Sequence, residues 1–447
     1  MRRRTFLGGL AAMPLMGALA ACARNVVKGG RTLEPLNGAP ETVGFSAAGI
    51  AALNAEMGRQ VDARTLSGLV HILARHGKIV NLQAYGKRSI ASGLPMRTDG
   101  IFRIHSQSKP IVAAAMMALY DEGRWALDDP ITRFIPEFAN LKVQTGVNAA
   151  GERVVVDAER PPTMRELMNH TAGFSYGVGG DTPADERVFA EIWHEGRNEF
   201  MSFDQMIATL ATIPLLFQPG TDWKYSIASD IQGVLIERMS RQSFSDFLKA
   251  KIFDPLDMPD TRFLITPAQA ERLVGFYIFD ENNALKELHS TDEWIFPIDH
   301  TKPAAPFYSG GGGLVSTARD FGHFSQMLLN RGELDGVRVL SADAVELMTS
   351  DQIPASITPK TQDAYGGEGQ GFGFGMVILR DPARAGLRAP AGAALWGGLG
   401  GTWFLLDKQN DLFFVGLAQR AAEVPPEDNL PTVSANSLYA ALADPSA

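Results

Sequence analysis

Phe102-Arg103-Ile104-His105-Ser106-Gln107-Ser108-Lys109-Pro110-Ile111 is the stretch whose reading decides the fold. It sets a serine and a lysine three residues apart at the head of an apolar run. Ile111, Ala115, Met116, Leu119 and Tyr120 recur at helical spacing, and Gly123 closes the run. Residues three apart on a helix share a face, so the Ser106 hydroxyl and the Lys109 amine can meet. A serine hydroxyl is a weak nucleophile until a base takes its proton. A lysine becomes that base when desolvation or a neighbouring positive charge lowers its pKa. The helix N-terminus adds the positive end of the macrodipole, which favours a developing oxyanion. A helix-capping serine followed by a surface lysine gives the same spacing by chance, so the weight of the pair rests on its company.

Two further elements follow in order. Trp223-Lys224-Tyr225-Ser226-Ile227-Ala228-Ser229-Asp230 comes after Phe217-Gln218-Pro219-Gly220. A tyrosine between a Pro-Gly turn and a helix can project into a cleft and move a proton. Trp396-Gly397-Gly398-Leu399-Gly400-Gly401-Thr402 lies at a strand edge. Its glycines allow close approach of substrate to backbone, and a backbone N–H there can join that of Ser106 in an oxyanion hole. Taken singly, Tyr225 reads better as a core tyrosine and the glycines as an edge bulge.

The 447 residues, 45% apolar and 20% charged, suit a soluble globular chain long enough for two subdomains. A net charge of −9 without a basic run excludes a nucleic-acid binder on electrostatic grounds. The eight histidines form no H-E-x-x-H, so neither a metal nor another cofactor is expected.

Residues 1–21 read as an export signal. Arg3-Arg4-Thr5-Phe6-Leu7 resembles a twin-arginine signal, and the uncharged stretch to Ala21 is short of the ~20 residues that span a bilayer. Leu19-Ala20-Ala21-Cys22 resembles a lipobox, and Cys22 is the only cysteine. The favoured reading is lipidation at Cys22 and a periplasmic, membrane-anchored lipoprotein, with residues 22–44 as a tether. An incidental cysteine beside an ordinary cleavage site is the alternative.

Within 45–447 the expected class is α+β. A helix over Phe45–Ala63 carries Ile50, Leu53 and Met57 on one face. Strands Leu69–Arg75 and Ile79–Tyr85 turn at His76-Gly77. Strands return as Phe372–Leu379, and as Gly401–Leu406 with Leu412–Leu417 around Lys408–Asp411; a helix near Val433–Leu442 ends the chain. Ser316/Thr317 with Asp320 predict a capping box for a helix through Leu329. The pattern implies one antiparallel sheet built from both chain ends (45–109 and 305–447), flanked by helices, with a mostly helical insertion (110–304).

These stretches together resemble the class C β-lactamase-like branch of the β-lactamase/penicillin-binding-protein superfamily, and within it the family VIII carboxylesterases. Further matching stretches are Leu127-Asp-Asp-Pro-Ile131, Leu167-Met-Asn-His-Thr-Ala-Gly173, Ile252-Phe-Asp-Pro-Leu-Asp-Met258 and Gly311-Gly-Gly-Leu-Val-Ser-Thr-Ala-Arg-Asp320. The resemblance implies a β-lactamase/DD-peptidase-like fold. It makes Ser106 the acylated nucleophile, Lys109 and Tyr225 general base and acid, and the N–H groups of Ser106 and Leu399 the oxyanion hole. Either Lys109 or Tyr225 can take the first proton. Lactamases of this branch carry Tyr-x-Asn and Lys-Thr-Gly; here the positions read Ile227 and Trp396-Gly397-Gly398. Losing an amide and a cation weakens the hold on an anionic amide, and an apolar wall of Ile227, Trp396 and Phe174 suits a neutral small-molecule ester. The expected activity is therefore carboxylic ester hydrolysis. The alternatives are β-lactamase or D-alanyl-D-alanine peptidase activity, and a non-catalytic ligand-binding protein on the same fold.

Gly173-Phe174-Ser175-Tyr176-Gly177 also matches G-x-S-x-G. That nucleophile elbow needs a strand before it and a helix after it; here a helix-like stretch precedes and a loop follows, so Ser175 is read as a chance match.

Overall fold

The computed structural model describes residues 32–148, 153–177, 182–193, 201–288, 308–357, 368–421 and 429–447. The signal segment, Cys22 and the tether up to residue 31 lie outside them.

Both ends of the chain feed one eight-stranded sheet. Its strands are β1 (Glu34–Pro35), β2 (Gly68–Arg75), β3 (Lys78–Gly86), β4 (Gln370–Phe372), β5 (Val377–Leu379), β6 (Ala394–Gly398), β7 (Thr402–Asp407) and β8 (Leu412–Ala418). They lie in the order β1-β3-β2-β8-β7-β6-β5-β4, antiparallel except for the β1–β3 pair. The N- and C-terminal parts meet where Ile72 of β2 opposes Val415 of β8. His76 and Gly77 both have positive φ, 54° and 73°, which matches the right-handed twist of a tight hairpin between β2 and β3.

Side chains alternate across the sheet, and both faces are covered. Leu69, Leu73, Leu405 and Phe414 pack with Leu53 and Met57 of α1 (Ala47–Asp62) and Leu438 on the C-terminal helix. Val70, Ile72, Phe404, Phe413 and Val415 face the opposite layer, with Phe321 and Phe324. Burying each large apolar side chain contributes about 1.5–3 kcal/mol, so this double coverage holds the two chain ends together.

The second layer is organised by α2 (Ser108–Asp121), whose residues from Ser108 to Leu119 are all buried. It packs against α3 (Ala228–Ser240). A helix enclosed on every side is apolar all round, and Lys109 is the one charge in that buried run. The remaining long helices are α4 (Ala318–Leu329), which covers the sheet beside β8, and the terminal α5 (Leu430–Ala441), which packs on α1.

Three expectations are corrected, and one is filled in. The tether does not reach residue 44: Glu34 and Pro35 pair with Lys78 and Ile79, and Val43 is buried, so the domain captures the chain earlier. Phe372–Leu379 is two strands, because Gly375 turns the chain at φ +80° between β4 and β5. The insertion is mostly helical as expected and also carries two hairpins, Lys142–Val147 with Arg153–Asp157 and Phe276–Phe279 with Leu285–Leu288. The capping box on α4 is half formed. Thr317 accepts from the Asp320 N–H at 3.1 Å, but the Asp320 carboxylate accepts from the Asp260 N–H (2.8 Å) and the Thr261 hydroxyl (3.0 Å) instead of reaching back.

No helix of the described residues is long and apolar enough to cross a membrane. Among those residues no group of three His, Cys, Asp or Glu side chains is placed to hold a metal ion.

Candidate active site

Ser106 lies in a single 3-10 turn, His105–Gln107, immediately before α2. The chain enters that turn from a fixed direction. Phe102 and Arg103 pair with Ser316 and Val315, and the Ile104 N–H donates to the Leu314 carbonyl at 3.0 Å. His105 then adopts φ +43°, a left-handed conformation that costs a residue with a β-carbon about 1–3 kcal/mol. Its ring is buried against Phe276, with centroids 5.2 Å apart, and burial pushes the imidazole down to about 3. His105 is therefore a neutral packing group, while Ser106 next to it stays partly exposed.

Two side chains converge on the serine oxygen. Ser106 Oγ accepts from Lys109 Nζ at 3.2 Å and from the Tyr225 hydroxyl at 2.8 Å. Lys109 Nζ donates also to the Gly311 carbonyl at 2.5 Å. It stands over the rings of Tyr225 and Tyr176, 4.7 and 5.0 Å from their centroids. Burial pushes the Lys109 ammonium down to about 7, and the negative charge of Asp230 opposes part of that fall. Such a lysine can both take and return a proton near neutral pH.

Tyr225 is held from several sides. Its ring lies 5.2 Å from that of His170, 5.1 Å from Tyr176 and 5.5 Å from Trp396, centroid to centroid. His170 Nδ1 meets the Ser226 hydroxyl at 2.9 Å and the Ser226 N–H at 3.2 Å, which fixes the residue after Tyr225. Burial holds the His170 imidazole at about 3, so it is neutral.

The third predicted element closes the site from β6. Trp396 Nε1 donates to the Ser106 carbonyl at 2.9 Å. A Cβ on Gly398 would sit 2.1 Å from the Ile104 carbonyl oxygen, so only glycine lets this strand edge press against the Ser106 turn. Gly397 lies beside it on the strand, and Leu399, next in the chain, is 47% exposed. Phe174 and Ile227 are 3% and 0% exposed. Phe174 packs on Phe138, and the Ile227 N–H donates to the Ser175 carbonyl at 3.1 Å; both stand behind the site rather than on its surface.

Ser175 is 3% exposed. Its hydroxyl donates to the Asp185 carboxylate and accepts from the Gly177 N–H at 3.0 Å. Sequence reasoning missed Tyr176, Gly311 and Asp230 at the site. Tyr176 sits inside the G-x-S-x-G match, and Asp230 ends the stretch quoted for Tyr225. The glycine run at Gly310–Gly313 was the available signal for the backbone that Lys109 meets.

Comparison with known proteins gives the chain a family and a fold. The family model described as "Beta-lactamase" matches residues 53–437. The chain is 34% identical over 369 residues to "Protein Rv1367c" of Mycobacterium tuberculosis (strain ATCC 25618 / H37Rv), covering 81% of this chain and 88% of that one. It is 32% identical over 383 residues to "Esterase EstB" of Burkholderia gladioli, covering 82% of this chain and 90% of that one. Among solved structures, "EstCE1, a hydrolase with promiscuous acyltransferase activity" shares the fold with a TM-score of 0.72 at 24% identity, covering 88% of this chain and 100% of that one. With a match across most of its length, an α+β architecture common to that structure and esterase and acyltransferase relatives, the chain belongs to the β-lactamase family and is a serine hydrolase of that fold.

Proposed function

We propose that this protein hydrolyses small neutral carboxylic esters through an acyl-enzyme on Ser106. The observation that carries the reading is the contact of one serine oxygen with both Lys109 Nζ and the Tyr225 hydroxyl, at 3.2 and 2.8 Å. When either partner is deprotonated the hydrogen bond reverses, and Ser106 becomes the donor. Ser106 Oγ then attacks the ester carbonyl as its proton passes to Lys109 or Tyr225. The backbone N–H groups of Ser106 and Leu399 hold the oxyanion. The same proton goes to the departing alkoxide, and water repeats the sequence to release the acid. Trp396, Gly397 and Gly398 form the wall beside the substrate, backed by Ile227 and Phe174. The 32% identity to a protein named an esterase supports an ester over a β-lactam, as does Trp396 at a position that is cationic in the lactamases.

The test is a panel of p-nitrophenyl esters beside nitrocefin. Short-chain esters should give a higher kcat/KM than nitrocefin by at least tenfold. Higher activity on nitrocefin would favour the lactamase reading instead.

We further propose export by the twin-arginine route and attachment to the periplasmic face of a membrane through lipid on Cys22. The support is the twin arginine and the lone cysteine at the end of Leu19-Ala20-Ala21-Cys22. Cys22→Ser should release a soluble periplasmic form or leave an unprocessed precursor. Unchanged membrane fractionation, with no lipid label on the natural chain, would overturn this.

A further inference from the structure

Asp230 stands in the first turn of α3 and is fully buried. Its Oδ1 accepts from the Ser309 hydroxyl at 2.7 Å and from the Gly311 N–H at 3.0 Å. Its Oδ2 is buried with no hydrogen-bond partner among the described residues. Gly311 links this carboxylate to the lysine: its N–H is held by Asp230, and its carbonyl accepts from Lys109 Nζ at 2.5 Å. A Cβ on Gly311 would come within 2.6 Å of Asp230 Oδ2 and 3.0 Å of the Tyr176 hydroxyl, so the backbone runs tightly against the carboxylate. A buried carboxylate with one oxygen unsatisfied is costly unless its charge offsets another. The opposing charge here is the single lysine of the buried helix α2.

The geometry points to Asp230 as a positioning residue for the Ser106–Lys109 pair: through Gly311 it fixes the lysine amine, and it supplies the buried negative charge against which Lys109 takes up the serine proton. When the proton leaves Ser106 Oγ for Lys109 Nζ, the lysine and the carboxylate together pass from net −1 to neutral, which favours the transfer in a low-dielectric interior. This rests on the hydrolase reading above and deepens it.

The groups facing Lys109 come from four segments. They are His105 from its own turn, His170 and Tyr176 from the segment after residue 168, Tyr225 from the loop before α3, and Asp230 from α3. Burial keeps both imidazoles at about 3, hence neutral at assay pH. Asp230 is the carboxylate that pulls the lysine back up against its own desolvation. Burial in turn raises Asp230, and Lys109, Ser309 and Gly311 oppose that rise.

The experiment uses the full chain and measures the rate of Ser106 labelling by a fluorophosphonate as a function of pH. Kcat/KM for p-nitrophenyl butyrate is followed in parallel. Asp230→Asn removes the charge with little change of shape. The acid limb should move to lower pH by about one unit or more, because an ammonium without its counter-charge loses its proton more readily. The plateau rate should fall roughly tenfold or more, since the remaining amine is a weaker base. Ser309→Ala removes one bond to the same oxygen and keeps the charge; it should lower the rate without moving the midpoint. If Asp230→Asn does not fold, Asp230→Ser removes the same charge and carries the same expectation. An unmoved midpoint in the charge-removing variant, or an equal displacement in Ser309→Ala, overturns the role of Asp230. Lys109→Ala separates the two readings. If it labels at the natural rate, the hydrolase mechanism itself fails; if it is dead while the Asp230 variant keeps its midpoint, only the inference about Asp230 fails.

Discussion

Ser106 and Ser175 both occupy motifs that name nucleophiles in other hydrolases, and their surroundings are opposite. Ser106 is partly exposed, and its oxygen meets an amine and a phenol. Ser175 is buried, and its hydroxyl is committed to the Asp185 carboxylate. That carboxylate also accepts from the Thr182 hydroxyl at 2.6 Å, so it ties a loop to the helix that starts at Pro183. A nucleophile needs an approach for substrate and a partner that gives its proton onward. Ser106 has an opening and two groups beside it that can carry a proton, whereas Ser175 has no opening and its carboxylate partner is already held by the Thr182 hydroxyl. What separates the two serines is the company supplied by distant parts of the chain, not the local spelling of the motif.

The largest effect that could break this contrast is the pair of alanine variants. Ser106→Ala should lower ester turnover by at least ~10⁴-fold with the fold intact, as removal of a nucleophile does elsewhere. Ser175→Ala should leave kcat/KM within about threefold and cost about 1–3 kcal/mol of stability, because it strands a buried carboxylate oxygen. Thermal melts beside steady-state assays read both.

Next in size is the proton path. Lys109→Ala or Tyr225→Phe should each cost about 10²–10⁴-fold in kcat/KM. On the proposed mechanism with Lys109 as the base, the free-base lysine is the active form, and burial pushes its pKa down to about 7. Activity should therefore rise with pH through that region and be lost below it. A flat profile from pH 5 to 8 would remove Lys109 from the role of base.

A smaller effect belongs to Trp396. Because its indole N–H is bound to the Ser106 carbonyl, Trp396→Phe should lower kcat several-fold, by loss of about 1 kcal/mol of hydrogen bonding, with KM little changed. Trp396→Ala also removes the wall and should raise KM. Equal KM values in the two variants would show that the ring has no part in binding.

The smallest expected change is in substrate class. Ile227→Asn with Trp396→Lys should raise the ratio of kcat/KM for nitrocefin over p-nitrophenyl butyrate only modestly. Ile227 is wholly enclosed, and a grafted lysine would lack a supporting shell. An unchanged ratio would show that these positions do not set the class of substrate.

The sheet from both chain ends was legible because its strands are separate, strongly apolar runs with clear turn residues, as at His76-Gly77. The break at Gly375 was hidden inside one continuous apolar stretch, where periodicity cannot distinguish one strand from two. At the site, Ser106 and Lys109 were legible because a 3-10 turn running into α2 brings them together locally. The Gly311 carbonyl and Asp230 were not: Lys109 and Gly311 are 202 residues apart in the chain, and no local pattern encodes their meeting.

The contrast between the two serines is most directly tested by locating a covalent adduct. The full-length protein is treated with a fluorophosphonate at pH 8, digested, and its modified peptide identified by mass spectrometry. A single phosphonyl group on Ser106, absent from Ser106→Ala and retained in Ser175→Ala, is the expected result. An adduct on Ser175, or labelling of Ser106→Ala at the natural rate, would show that the S-x-x-K turn does not hold the nucleophile.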